Sequence, residues 1–128
     1  MIRYNIKYTN DFKKSLKRVM RQGKDINKLI DVVEILSRKD LLDIKFRNHD
    51  LYNTKKYIDC KECHIEPDWL LLYKYIDKDL VLLLVNTGSH SNLFKKWIKC
   101  RMKRFILYIL KVFIVRLFLH NYLIFLAI

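Results

Sequence analysis

The chain is poor in cysteine, glycine and proline. Its 128 residues include three cysteines, two glycines and one proline. An odd cysteine count, without a charged-then-apolar N-terminal leader, excludes a secreted disulfide scaffold and predicts reduced thiols in the cytoplasm. Because residues that break regular structure are so few, Gly23, Pro67 and Gly88 each predict a required bend. A chain of this length predicts one small domain.

Acidic residues are also scarce. Asp and Glu number 13 against 26 Lys and Arg, which gives a net charge of +13. The shortage is greatest in residues 95–128, which hold eight Lys or Arg and no Asp, Glu, Gly, Pro, Ser or Thr. A field of this sign and size favours polyanionic partners such as nucleic acid or an anionic membrane surface.

Hydrophobic periodicity predicts an α+β fold. Apolar and polar residues alternate over residues 2–9, which predicts an opening strand. Thr9 and Asp25 predict the N-caps of two antiparallel helices, and Gly23 predicts the end of the first. A polar stretch at 43–54 predicts a loop. Three further strands, joined by turns at 66–68 and 77–79, are predicted over residues 57–65, 69–76 and 80–87. The result is an antiparallel sheet flanked by a helical pair.

One short motif has three interpretations. Cys60, Cys63 and His64 satisfy the C-x-x-C-H pattern of haem attachment, but that chemistry belongs to exported proteins. A structural zinc site needs four ligands, and only one cysteine pair is present. If the stretch is a strand, the two thiols also face opposite sides. Packing of both cysteines as small apolar side chains is the favoured interpretation.

The histidines predict acid–base chemistry. His49, His64 and His90 each lie in a polar segment or beside a turn, and Asp68 lies in the turn after His64. Imidazoles gather and release protons near neutral pH, so a cluster of them with nearby cations suits phosphodiester cleavage without a metal or another cofactor. The alternative for each histidine alone is a surface or packing role.

Two aromatic residues accompany these histidines. Trp69 follows Asp68 directly, and Phe94 follows His90 by four residues. Both could supply stacking faces for RNA bases. For Trp69, a role in capping the core below Pro67 is equally well supported.

Several blocks of the chain resemble the YafQ branch of the RelE-like toxins of bacterial type II toxin–antitoxin modules. The resemblance runs from Tyr4 to Phe94. It rests on T-N-D-F-K-K-S-L-K-R, G-K-D-I-N-K-L, N-H-D-L, E-C-H-I-E-P-D-W-L-L-L-Y-K and T-G-S-H-S-N-L-F, in that order. It implies a RelE-like α+β domain over residues 1–94 that enters the ribosomal A site and cuts mRNA.

The resemblance also implies roles and partners. The catalytic residues it implies are His49, His64, Asp68 and His90, and the substrate-binding residues are Lys61, Trp69 and Phe94. The implied partners are the ribosome, mRNA and a cognate antitoxin of the DinJ or RelB type, with operator DNA reached through the antitoxin complex. Lys61 and Asn86 stand where arginine is common in the family. This departure motivates the alternative of a catalytically weakened homologue that still binds its antitoxin.

Residues 95–128 form a basic and then hydrophobic C-terminal extension. Residues 105–128 exceed the roughly 20 residues of a transmembrane helix, but Lys111 and Arg116 would each cost about 2.5 to 3.5 kcal/mol at the bilayer centre. Polar residues are scattered around the helix axis, which disfavours a surface-lying helix. The favoured interpretation is a read-through extension of a cytoplasmic protein. Membrane association, including a toxin that acts through its hydrophobic tail, and an extra apolar helix on the body remain as alternatives.

Overall fold

The computed structural model describes residues 2–52, 54–94, 106–116 and 119. Contacts between residues divide the chain into two compact units, Met1–Leu93 and Phe94–Ile128. The first unit contains every helix and strand that positions the histidines discussed below.

Within the described residues, five strands form one mixed sheet. They are β1 (Asn5–Tyr8), β2 (His49–Asp50), β3 (Lys61–Glu66), β4 (Trp69–Ile76) and β5 (Val81–Gly88). Their order across the sheet is β1-β5-β4-β3-β2. The pairs among β2 to β5 are antiparallel, as predicted, whereas β1 runs parallel to β5. The sheet is therefore not antiparallel throughout, because β1 reaches β5 through the whole intervening chain rather than through a hairpin.

Two helices lie between β1 and β2 in the chain. They are α1 (Asn10–Arg21) and α2 (Ile26–Ser37). The predicted caps are confirmed: Thr9 accepts a hydrogen bond from the Phe12 amide, and Asp25 accepts one from the Asn27 amide. Gly23 follows α1 with φ of +76°, a conformation that glycine adopts without strain.

The main core lies between the helices and one face of the sheet. Its helical side includes Phe12, Val19, Leu29 and Leu36, all at most 4% exposed. The β4 run Leu70–Leu72 is fully buried, because its strand is central and covered on both sides. This agrees with the continuous apolar pattern of that segment.

Two boundaries differ from those predicted. The strand predicted at 57–65 begins only at Lys61, and the preceding residues form bends and turns. The loop predicted at 43–54 contains a 3₁₀ turn, Ile44–Phe46, and the two-residue strand β2. A strand this short has no periodicity to detect in the sequence, since it exists only through its pairing with β3.

Little of the C-terminal extension is described. Residues 106–116 are helical, and they fall inside the segment for which an apolar helix was predicted. Residues 95–105, 117–118 and 120–128 lie outside the described residues, and so does most of the predicted membrane segment. No helix in the described ranges is long and apolar enough to cross a bilayer.

Candidate active site

The register of β2 against β3 brings the first histidine to the site. His49 pairs with Glu62 across the antiparallel ladder. Side chains of paired residues lie on the same face of a sheet, and so do those of residues two apart on one strand. His49, Glu62 and His64 therefore share one face, and the strand alternation of β3 puts Cys63 and Ile65 on the other face with the core.

His90 arrives from the far end of β5. Leu70 of β4 pairs with His64 on one side and with Gly88 on the other, so the three strands align in one row. Gly88 ends β5 with φ of +144°, and this bend leads the chain to His90 two residues later. The His64 and His90 rings lie with their centroids 5.7 Å apart. Two histidines separated by 26 positions in sequence thus meet at one edge of the sheet.

The three imidazoles converge on one carboxylate. Nε2 lies 3.7 Å from Glu62 Oε1 in His49, 3.5 Å in His64 and 3.8 Å in His90. The Glu62 side chain is 4% exposed, whereas those of His49 and His90 are about half exposed. Sequence reasoning did not single out Glu62. The available signal was its position two residues before His64 in a predicted strand, which puts both side chains on one face.

Backbone carbonyls orient two of these rings. His49 Nδ1 lies 2.7 Å from the Arg47 carbonyl oxygen, and His64 Nδ1 lies 3.4 Å from that of Pro67. A carbonyl oxygen can only accept, so Nδ1 is the donor in each contact. This leaves Nε2, on the side of Glu62, as the atom that can take up or release a proton.

Three of these groups could also hold a metal ion. Ligand atoms of Glu62, His64 and His90 all lie within 4.8 Å of one another. Two imidazoles and a carboxylate form a ligand set used by zinc and other transition metals, with a fourth position left for water. The sequence prediction had assigned no metal ligands, because the spacing of these residues along the chain shows no metal-binding pattern.

Asp68 and Trp69 do not join the cluster. Asp68 is exposed in the turn between β3 and β4, and no hydrogen bond or ion pair links it to a described residue. Trp69 is 1% exposed, and its Nε1 donates to Thr87 Oγ1 within the core. The prediction that Trp69 binds substrate directly is therefore wrong for this conformation, because its ring offers no face to a base. The alternative role in the core is the one observed.

Lys61 is also directed away from the histidines. It is adjacent to Glu62 on β3, so strand alternation places it on the opposite face. There Nζ donates to Asp50 Oδ1 at 2.5 Å, and this contact holds the pKa of the Asp50 carboxyl below its usual range. Phe94 belongs to the second compact unit, and its role in substrate binding stays a prediction.

The cysteines have no ligand character. Cys60 and Cys63 are both buried free thiols. Burial raises the pKa of Cys63 to about 12 and raises that of Cys60 in the same direction. Since a thiolate is the form that binds metal, these buried thiols match the packing interpretation and not the zinc or haem alternatives.

Asn86 belongs to a buried polar network and not to the cluster surface. The residue is 7% exposed. Its Oδ1 accepts from Ser15 Oγ at 2.5 Å and from the Thr87 amide at 2.9 Å, and its Nδ2 donates to the Tyr57 hydroxyl at 3.1 Å. Asn86 therefore ties α1 and the segment before β3 to the end of β5.

Comparison with known proteins identifies close relatives. The family described as "Bacterial toxin of type II toxin-antitoxin system, YafQ" matches residues 4–95. An mRNA interferase toxin YafQ of Escherichia coli strain B / BL21-DE3 is 36% identical over 95 residues, which cover 73% of this chain and 99% of the relative.

Solved structures of relatives have the same fold. Crystal structures of E. coli YafQ (33% identity, TM-score 0.64) and of a metal-bound toxin from Helicobacter pylori (36% identity, TM-score 0.67) each match 71% of this chain and nearly all of their own. An E. coli DinJ-YafQ toxin-antitoxin complex contains a chain 32% identical, with a TM-score of 0.64, that is matched over 73% of this chain and 99% of its own.

Proposed function

This chain belongs to the YafQ family of bacterial toxins of type II toxin–antitoxin systems, and from that membership we propose that it is an endoribonuclease that cleaves mRNA on the ribosome. The curated relatives from E. coli are mRNA interferases. The observation that carries the proposal for this chain is the convergence of three imidazole Nε2 atoms on the buried Glu62 carboxylate.

The cluster supports cleavage by proton transfer. One imidazole removes the proton of the ribose 2′-hydroxyl, the 2′ oxygen then forms a bond to phosphorus, and the bond from phosphorus to the 5′ oxygen breaks. A second imidazole gives its proton to that departing 5′ oxygen, so the products are a 2′,3′-cyclic phosphate and a 5′-hydroxyl end. Glu62 stabilises whichever imidazolium is present during the reaction, because its carboxylate faces all three Nε2 atoms. This chemistry needs no metal or other cofactor.

Asp68 keeps a place in the proposal as a residue that acts with substrate bound. It lies on the same turn as Pro67, whose carbonyl orients His64. An exposed carboxylate there can accept a hydrogen bond from a ribose or a base when RNA enters. The residues 1–94 contain all the groups in this mechanism, and we assign the catalytic domain to them.

The charge of the chain supports the proposed partners. A net charge of +13 favours association with ribosomal RNA and mRNA. E. coli YafQ is found in complex with DinJ. A cognate antitoxin with acidic character would complement this basic surface, and the resulting complex could contact operator DNA.

A cleavage assay tests the proposal. The purified chain is added to a reconstituted bacterial translation reaction, and cuts in the mRNA are mapped by primer extension. We expect the wild type to cut, and H64A and H90A to cut about 10²-fold or more slowly, since acid–base groups contribute 10²–10⁴-fold. His120 lies outside the family match, so H120A is the control and should cut at the wild-type rate.

Each contrary outcome points to a different alternative. Harmless expression of a soluble, antitoxin-binding protein without mRNA cleavage would favour the weakened homologue. Growth arrest that survives the double substitution H64A/H90A would overturn the ribonuclease proposal and direct attention to the C-terminal extension.

A second candidate function of the same pocket is binding of a transition-metal ion. The 4.8 Å grouping of Glu62, His64 and His90 favours it, and metal-bound and copper-bound forms of an H. pylori relative are known. Titration calorimetry with Zn²⁺ or Cu²⁺ should show a site that E62Q weakens and H120A leaves unchanged. Equal binding by the wild type and E62Q would contradict this assignment.

A further inference from the structure

Cleavage of a phosphodiester needs a cation at the phosphate as well as proton transfer. Negative charge on the non-bridging oxygens increases as the 2′ oxygen attacks, and a fixed donor aimed at those oxygens lowers the barrier. Lys61 cannot provide it in this conformation, because it pairs with Asp50 on the opposite face of β3. The described residues contain another cation beside the histidine-bearing segment, which is Arg18 of α1.

The path of α1 brings Arg18 to the end of β5. β1 pairs with β5 only over Val81–Leu84, so α1 contacts the part of β5 that β1 leaves unpaired. A Cβ atom placed on Gly88 would lie 3.4 Å from Arg18 Nη2. Gly88 is two residues before His90, and two residues span at most about 7 Å. The guanidinium thus lies against the bend that delivers His90 to the cluster.

A chain of polar contacts holds Arg18 in this place. Arg18 Nη2 donates to Ser15 Oγ at 3.3 Å, one turn earlier on α1. Ser15 is 5% exposed and donates in turn to the buried Asn86 side chain, which is anchored to Tyr57. Because Ser15 and Asn86 are buried and fully bonded, the base of the arginine arm has little freedom to move.

The charge of Arg18 is not neutralised by a neighbour. Arg3 and Arg38 form ion pairs with carboxylates, whereas no described carboxylate lies within ion-pair distance of Arg18. A guanidinium offers five donors in a planar fork that matches two phosphate oxygens, and only one contact to Ser15 is made here. The side chain is exposed, so these donors are open to an incoming ligand.

We infer that Arg18 binds the scissile phosphate of the RNA and stabilises its transition-state charge, with Ser15 and Asn86 as its positioning residues. This inference rests on the proposed ribonuclease function. It also changes the meaning of Asn86, which was expected to weaken phosphate stabilisation. In this structure Asn86 supports a cation supplied by α1.

The test compares charge variants on α1. Ribosome complexes carry a short mRNA whose scissile phosphate is either normal or a single phosphorothioate diastereomer, and single-turnover rates are measured for the wild type, R18Q and R18K. Arg21 is also an exposed basic residue of α1, so R21Q is the matched control for loss of one charge. Thermal melting checks that each variant is folded.

We expect R18Q to slow cleavage by roughly 10²–10³-fold, the usual effect of losing one such donor. R18K should recover part of the rate, and R21Q should stay near the wild type. In the wild type, sulfur at one non-bridging position should slow the reaction more than sulfur at the other. That stereospecific difference should disappear in R18Q, which a purely structural role for Arg18 would not cause.

The two proposals fail in different ways. An active wild type with an equally active R18Q would overturn this inference alone. The same holds if R18Q is slow but keeps the wild-type phosphorothioate difference. If R18Q does not fold, R18K carries the test, and an unchanged rate and phosphorothioate difference in R18K would overturn the requirement for a guanidinium. An inactive wild type would overturn the ribonuclease proposal and this inference with it.

Discussion

Replacement of Glu62 by glutamine should lower activity and leave the fold at least as stable. Glu62 carries the only carboxylate that the described residues place among the three imidazoles. E62Q keeps the size and shape of the side chain but removes its charge. An imidazolium in the transition state then loses its partner, while the ground-state protein loses a carboxylate that is costly to bury.

The size of the effect can be estimated from the contact distances. At 3.5 Å from His64 Nε2, and with an effective dielectric constant of about 20, one charge pair amounts to roughly 4.7 kcal/mol. That would correspond to about 10³-fold in rate, at 1.36 kcal/mol for each factor of ten. His49 and His90 are half exposed, and solvent screens them, so a loss of about 10²–10³-fold is expected.

Glu66 provides the control on the same strand. Its carboxylate pairs with Lys24 and Lys28 of the helical layer and not with the histidines. E66Q should therefore cut at the wild-type rate and lose about 0–1 kcal/mol of stability, as expected for partly exposed pairs. Single-turnover cleavage and urea unfolding measure both quantities. Wild-type activity of E62Q, or a loss of stability larger in E62Q than in E66Q, would refute the assigned role.

Three further predictions follow from single residues. G88A should lose about 1–2 kcal/mol of stability, because φ of +144° is strained for alanine, and should also lose activity, whereas G23A should lose stability alone in urea unfolding and cleavage assays. Cys63, whose pKa burial raises to about 12, should resist iodoacetamide at pH 8 in native protein and react after unfolding, as read by peptide mapping. The hydrogen bond from Lys39 holds the pKa of Asp77 below its usual range, so its stabilising effect is present above the unfolded pKa of about 4 and is lost as pH falls through the folded value. D77N should therefore be less stable than the wild type at neutral pH, and urea unfolding should show this difference shrinking in acid; a difference that stays constant with pH would contradict the assignment.

Local signals in the sequence were sufficient for most of the secondary structure. Thr9 and Asp25 cap their helices because a side-chain oxygen needs only the amides of the next turn. The strand Trp69–Ile76 was predicted with its observed bounds, because an apolar run between two turn segments depends little on distant residues. The motif around His64 also sufficed for the family, since it is a pattern of neighbouring residues.

Contacts between distant residues decided the chemistry of the pocket. Glu62 becomes the centre of three imidazoles only through the register of β2 with β3 and the bend at Gly88, and neither is written in a local pattern. The burial of Trp69 and the position of Arg18 beside β5 depend in the same way on which face of the sheet each element covers. The sequence alone therefore determined the elements and the candidate histidines, because periodicity and caps act over a few residues. Only the tertiary structure decided which charges meet, because strand pairing and layer packing join residues far apart in the chain.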